Sequence, residues 1–263
     1  MIRNPLAVTT KQAPGRPAPR SLRPGAAHAS AAPARGPLAA LAQRATPVRA
    51  RRNQQLALNC AQADAAYVVR TGLLVLQAQP LGERRQLLAL LYPGDVFRGA
   101  YCPPLPNVSL GVAAAAELWR LPAAAFESVI ESDAAVGAAL ARQLADQHAR
   151  TLLHMSNLGG LNGEQRVASF LIELALRLGT PSGNGVSFDL PLSRTDIADH
   201  LALNADTLSR IMSRLKVRGL IAQAARTRAV IPDWRRLCEL TPVAETVLAL
   251  HGNANAAAAD AKL

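Results

Sequence analysis

The stretch "SRTDIADHLALNADTLSRIMSRLKVRGLI", residues 193 to 221, constrains this chain more than any other. Ser193 followed three residues later by Asp196 has the form of a capping box, which starts a helix by satisfying its first free N–H groups. Ile197 and Leu201 share one face of that helix. Leu203 and Asn204 interrupt the pattern. Asn204 suits the N-cap of a second helix over 205–218, and Gly219 is placed to end it. At about 100° per residue, Leu208, Ile211, Met212 and Leu215 share one arc of the second helix, with Asp206, Ser209, Arg210, Ser213 and Val217 opposite. The apolar arc is what docks such a helix on a domain. The polar arc has no evident partner in the chain, and most such faces are merely solvated.

The chemistry of this arc points further. Its N-terminal end is short-armed, so a broad surface can approach the backbone. Arg210 is a planar donor suited to O6 and N7 of guanine, Asp206 can accept from a cytosine amino group, and Ser209 can serve several bases. Around them lie Ser193, Arg194, Thr195, Asn204, Thr207, Arg214, Lys216 and Arg228, all able to bind phosphate. A base-reading helix flanked by backbone-holding neighbours is the layout of a helix-turn-helix.

Upstream, "AYVVRTGLLVLQ" (66–77), "RRQLLALLYPGDVF" (84–97) and "NVSLGVAAAAELWRLP" (107–122) are Val- and Leu-rich runs punctuated by Gly72 and Pro93–Gly94–Asp95. They predict short strands in an antiparallel roll or barrel, giving an α+β chain. Residues 123–158 contain no proline and predict one long helix ended by Gly159–Gly160. Ile130, Gly137, Leu140, Leu144, Thr151 and Leu158 follow a repeat of about 3.5 residues, which suits either packing on the chain's own roll or a dimer seam. "GEQRVASFLIELALRLG" (163–179) is an amphipathic helix, "GVSFDLPL" a short strand, and "LIAQAARTRAVIPD" a hairpin with Arg226, Thr227 and Arg228 near its tip. "HGNANAAAADAKL" reads as unstructured.

The net charge of +11 is concentrated, because residues 1–52 hold ten Lys and Arg and no Asp or Glu. This Pro/Ala/Arg-rich tail has too few large apolar residues to repay chain ordering and is expected to be disordered. A nonspecific DNA-binding arm, an inert extension and a misplaced start codon all remain open for it. No secretory h-region and no run of membrane-spanning length occurs. Cys60, Cys102 and Cys238 are too scattered for a disulfide framework or metal site, so the chain reads as cytoplasmic. The expected divisions are a disordered tail 1–53, a roll 54–124, a dimerisation helix 125–158, a DNA-binding domain 159–241 and a flexible tail 242–263.

"LPLSRTDIADHLALNADTLSRIMSRLKVRGLI" closely resembles the winged helix-turn-helix of the Crp/Fnr family of bacterial transcription regulators, and "QRVASFLIELALRLG" matches its opening helix. "AYVVRTGLLVL" and "RRQLLALLYPGDVF" look like the family's cyclic-nucleotide-binding-like β-roll, so the resemblance covers roughly residues 56–240. It implies that Asp206, Ser209 and Arg210 read bases. It further implies that Ile130, Gly137, Leu140, Leu144 and Thr151 belong to a dimerisation helix. A homodimer on a palindrome of TTGAT…ATCAA type follows, with half-sites one helical turn apart and RNA polymerase as a further partner. Fnr-like members carry Glu-x-x-Ser-Arg where this chain has Asp-x-x-Ser-Arg. Aspartate is one methylene shorter, so the base read by Asp206 is open.

For an effector, the same resemblance is unhelpful. The stretch "RGAYCPPLPNVSLGVAAAAE" lacks the Gly-Glu pair and the Arg-Ser/Thr-Ala run of the cyclic-nucleotide binders. Arg98 is its only cation. An iron–sulfur cluster of the oxygen-sensing members needs four thiolates, more than this chain contains. No His lies in the roll from 56 to 122 to hold haem, and His148 and His154 read as surface or packing residues. No cofactor is therefore expected. Cys102 is a candidate redox thiol, although an inert thiol is the plainer reading. The roll is also expected to lack the elements that precede residue 56 in the family. Two other functions compete: an effector-binding module with vestigial DNA binding, and an enzyme. No G-x-S-x-G, P-loop or H-E-x-x-H motif supports the enzyme.

Overall fold

In chain order, one helical turn α1 (Ala39–Ala42) precedes strands β1 (Thr46–Ala50), β2 (Gln55–Leu56), β3 (Asn59–Cys60), β4 (Ala63–Ala78), β5 (Gln86–Leu91), β6 (Val96–Arg98) and β7 (Ser109–Pro122). Helices α2 (Ala123–Ser132), α3 (Ala134–Gly160) and α4 (Gly163–Leu178) follow. The chain continues through β8 (Thr180–Ser182), β9 (Gly185–Asp189), α5 (Arg194–His200), α6 (Ala205–Val217), β10 (Ala222–Gln223), β11 (Arg228–Ile231), α7 (Trp234–Cys238) and α8 (Ala244–Asp260). The computed structural model describes residues 38–56, 59–60, 63–78, 85–101, 108–182, 185–223 and 227–260.

The architecture is the expected α+β one, an antiparallel roll followed by helices and a small C-terminal sheet. Strands β4 and β7 pair along most of their length, β3, β5 and β6 add to β4, and β1 and β2 add to β7. The long pair bends where its register shifts around Gly72. Gly72 has φ +89, and a Cβ there would lie 2.4 Å from the Ala115 carbonyl oxygen, so only glycine fits. Tyr67, Val69, Leu74, Leu91, Phe97, Leu110, Val112 and Leu118 fill the roll's interior.

Four expectations need correction. The tail does not extend to residue 53: β1 pairs with β7 from Thr46 to Ala50, and Leu41 is buried against Trp119, Leu121 and Phe126. The roll therefore begins before residue 54 and keeps strands ahead of 56. "TPVRA" is polar and holds a proline because β1 is an edge strand, where a missing N–H is tolerated. Residues 1–37 lie outside the described residues. The single helix over 123–158 is two helices, broken at Asp133. Asp133 has extended backbone (φ −132, ψ 99), and its carboxylate accepts from the N–H groups of Ala135 and Val136 to cap α3. Finally, the C-terminal segment is helical through Asp260, and Val247 and His251 are buried against α4.

A polar network joins the roll to the helices. Asp95, wholly buried in the turn after β5, accepts from Arg150 Nη2 (2.6 Å), Gln143 Nε2 (2.8 Å) and the Tyr92 N–H (2.8 Å). Tyr92 Oη in turn donates to Glu173 of α4 (2.7 Å), and Arg177 of the same helix donates to His251 Nδ1 (3.2 Å). Burial, then the Tyr92 hydroxyl and neighbouring cations, set Glu173's carboxyl, with burial dominant and its pKa raised. His154 of α3 stacks on His200 of α5 with ring centroids 4.0 Å apart. Burial and then the His154 neighbour drive His200 down to about 3, and burial with Arg177 and Arg150 drives His251 down to about 2.

Candidate nucleic-acid interface

Local sequence builds α5 and α6 as expected. Ser193 and Asp196 form the reciprocal capping box, and Asn204 Oδ1 accepts from the Thr207 N–H (2.6 Å). Both helices end in the same hydrogen-bonded motif. At the end of α5 the N–H groups of Ala202 and Leu203 reach Asp199 and Ala198 carbonyls; at the end of α6 those of Gly219 and Leu220 reach Lys216 and Leu215. The motif needs one left-handed residue. Gly219 supplies it at φ +67, whereas the turn between the two helices forces Ala202 to φ +49.

Leu208, Ile211 and Leu215 are buried against α4 and α5, with Met212 half-buried beside them. The opposite arc faces outward: Asp206, Arg210 and Ser213 are exposed, Ser209 is half-exposed, and Val217 keeps 88% of its surface. Asp206, Arg210 and Ser213 make no hydrogen bond or ion pair with any described residue. Ser209 does have a partner. Arg194 Nη1 donates to its Oγ over 3.2 Å.

The surrounding polar groups divide by their engagements. Ser193 and Asn204 spend their side-chain oxygens on helix caps, and Thr195 and Thr207 border the turn. Lys216 Nζ donates to Gln223 of the wing (2.7 Å), and Arg228 Nε donates to Ser187 Oγ (2.8 Å). Arg214 lies 3.7 Å from Glu164, which also pairs with Arg218. Between α6 and the wing runs a groove of about 720 Å³ floored by Leu192, Ile197, Leu208 and Ile221. Arg52, Arg194, Lys216 and Arg228 rim it, and no acidic side chain lines it among the described residues. The result is a positive margin beside an outward polar helix face.

Three residues that sequence reasoning missed hold this unit in place. Arg166 of α4 donates to the Leu201 carbonyl (2.7 Å), clamping the turn that places α6. Arg85, just before β5, pairs with Asp196 and lies 3.8 Å from Asp199, tying α5 to the roll. Arg52 Nη2 donates to the Pro191 carbonyl (2.8 Å). Each bridges residues far apart in sequence, so no local pattern marks them.

The residues expected to form a seam on the long helix do not share one outward face. Ile130 belongs to α2, Gly137 faces it closely enough that a Cβ there would lie 3.6 Å from Ile130, and Leu140 and Leu144 pack inward on the roll side. Thr151 is exposed but returns its hydroxyl to the Gln147 carbonyl (3.1 Å). An exposed row lies one residue later: Ala138, Ala141, Ala145, His148, Leu152 (52% exposed) and Met155 (62%). Cys102 lies outside the described residues. Cys238 is half-buried, and desolvation with Glu239 nearby pushes its thiol up to about 11, away from reactive thiolate behaviour. Among the described residues no group of three or more His, Cys, Asp or Glu is placed to hold a metal ion, and no helix is long and apolar enough to cross a membrane.

Two helices meeting at a capped turn, the second projecting an outward polar face beside a two-stranded wing, define a winged helix-turn-helix DNA-binding protein. The pattern of a Crp-like helix-turn-helix domain matches residues 165–240. The transcriptional activator FnrL of Cereibacter sphaeroides is 33% identical over 67% of this chain and 72% of its own length. The nitrogen fixation regulation protein FixK of Azorhizobium caulinodans is 30% identical over 78% of this chain and 82% of its own. The solved structure of FixK2 from Bradyrhizobium japonicum superposes with a TM-score of 0.65 at 28% identity, covering 75% of this chain and 97% of that one. The chain belongs to the Crp/Fnr family: it is a transcription regulator with a helix-turn-helix DNA-binding domain, not an enzyme.

Proposed function

We propose that this regulator works in the cytoplasm as a homodimer that reads a twofold-symmetric site through Asp206, Ser209 and Arg210, with RNA polymerase as its further partner. The observation that carries the reading is the outward face of α6, whose Asp206 and Arg210 have no partner among the described residues and whose margin bears Arg194, Lys216 and Arg228. Phosphate contacts from that margin hold the backbone, and the face reads base edges. The exposed row on α3 supports the dimer. Its spacing alternates between three and four residues, the repeat of a two-helix seam, and its alanines let two helix backbones approach closely. Leu152 and Met155 supply the apolar area.

Action without a bound effector, whether cyclic nucleotide, haem or cluster, is part of the proposal. Among the described residues the roll packs Tyr67, Val69, Leu74 and Leu118 inside, and a cavity of about 220 Å³ lies between it and α3. Arg98, the one cation of the stretch 98–117 in which the resemblance places a phosphate clamp, is paired with Asp64 (2.6 Å) and Glu127 (2.8 Å). Fluorescence anisotropy at fixed salt, comparing a TTGAT…ATCAA duplex with a scrambled one, tests the reading. A preference of about a hundredfold without added ligand is expected, and equal binding counts against it. Leu152→Glu should give monomers in sedimentation and lose the preference for the two-half-site duplex; a dimer that persists rejects the seam.

A further inference from the structure

We propose that Arg194 is a specificity-determining positioning residue. Its guanidinium fixes the Ser209 hydroxyl as a hydrogen-bond donor, so that α6 selects a base edge presenting an acceptor there. The inference rests on the DNA-reading function above. A serine hydroxyl offers one donor and two acceptor sites and can serve several bases. With Arg194 Nη1 donating to Ser209 Oγ at 3.2 Å, one lone pair is taken and a positive charge stands beside the oxygen. The remaining O–H must then find an acceptor once water leaves the interface. Thymine O4, adenine N7 and guanine O6 or N7 satisfy it. The amino groups of cytosine and adenine bring a partial positive charge toward the guanidinium and leave the O–H unpaired.

The placement of Arg194 supports a role beyond solvation. It is the first residue of α5, where the helix dipole disfavours a cation. The nearby carboxylate does not hold it: Asp196 is committed to the Ser193 N–H and hydroxyl and to Arg85. The guanidinium instead crosses to the neighbouring helix, onto the face that carries Arg210. A side chain ordered before binding loses less entropy on binding.

Selection from a randomised duplex pool, followed by affinity measurements on single-base-pair variants and on random DNA, tests this with the full chain. Ser209→Ala should flatten preference at one base pair of each half-site by about fivefold. Arg194→Ala should flatten the same pair after division by its affinity for random DNA, and the double variant should flatten it no further. Arg194→Lys, a long arm that keeps a donor, should restore part of the preference. Melting curves recorded alongside identify any variant that fails to fold. Arg194→Ala with every base preference retained and only a uniform loss of affinity overturns the proposal, because Arg194 then serves phosphate alone. A wild-type chain that enriches no sequence overturns the DNA-reading function itself.

Discussion

The outward face of α6 and the junction between roll, α3 and α4 are made of the same residue types with opposite fates. On α6, Asp206 and Arg210 are exposed and have no partner among the described residues. At the junction, Asp95 and Arg150 are buried and bound to each other, and Tyr92 and Glu173 lie hydrogen-bonded beside them. A polar group in water costs nothing to leave unpaired; one in the interior must be paired or the fold loses its desolvation energy. Substitutions on α6 should therefore change DNA affinity with little effect on stability, and those at the junction should do the reverse.

The largest effect is expected at Asp95. Asp95→Ala leaves Arg150 buried without its counter-charge and removes the acceptor for Gln143 and the Tyr92 N–H. It should cost about 3–5 kcal/mol in denaturant unfolding, while folded protein keeps its base preference. Altered base preference in that variant would break the separation of the two regions.

Acid should act on the same region. His200 and His251 are held neutral in the fold, at about 3 and about 2, but take a proton near 6.5 when unfolded. Their stabilisation is therefore complete above that value and is lost as pH falls through the window below it. Between pH 7 and pH 5 each should cost roughly 2 kcal/mol. Glu173, with its pKa raised, works in the opposite sense from the usual carboxyl range upward, so the imidazoles dominate. Thermal melting at pH 7 and pH 5 checks this, and a flat profile would contradict their burial.

On α6, Arg210→Ala should cost about 1–3 kcal/mol on the specific site and relax one base preference without lowering the melting temperature. Lys216→Ala should instead weaken specific and random DNA alike and reduce the salt slope by about one. Titrations at several salt concentrations separate the two. The smallest effect lies in the turn. Ala202→Gly relieves a left-handed alanine but frees the unfolded chain, a net gain of about 0.5 kcal/mol by chemical denaturation.

What could be read from the sequence follows the range of the interaction. The caps of α5 and α6, the buried arc of Leu208, Ile211 and Leu215 and the outward arc of Asp206, Ser209 and Arg210 depend on neighbours three or four residues away. Their residue types alone announce them. Asp133 was also legible as a helix cap, but the Ala-rich run around it hid the break. Strand β1 and helix α8 gave little signal because a proline-bearing edge strand needs few apolar residues and an Ala-rich helix has weak periodicity.

The phase of α3 shows where local reasoning ends. A repeat of about 3.5 residues is the same repeat whether it begins at Gly137 or Ala138. The packing of Leu140 and Leu144 toward the roll turns the next row outward, to Leu152 and Met155. Likewise, nothing near residue 166 in sequence indicates that Arg166 clamps the carbonyl of Leu201, or that Arg85 reaches Asp196. Which arc of α6 is buried and which is polar was legible in the chain, because caps and faces are set within one or two turns. Which way the rows of α3 turn, and which arginines are tied up in holding the domains, came from the fold, because those choices are made by residues that meet only after the chain has folded.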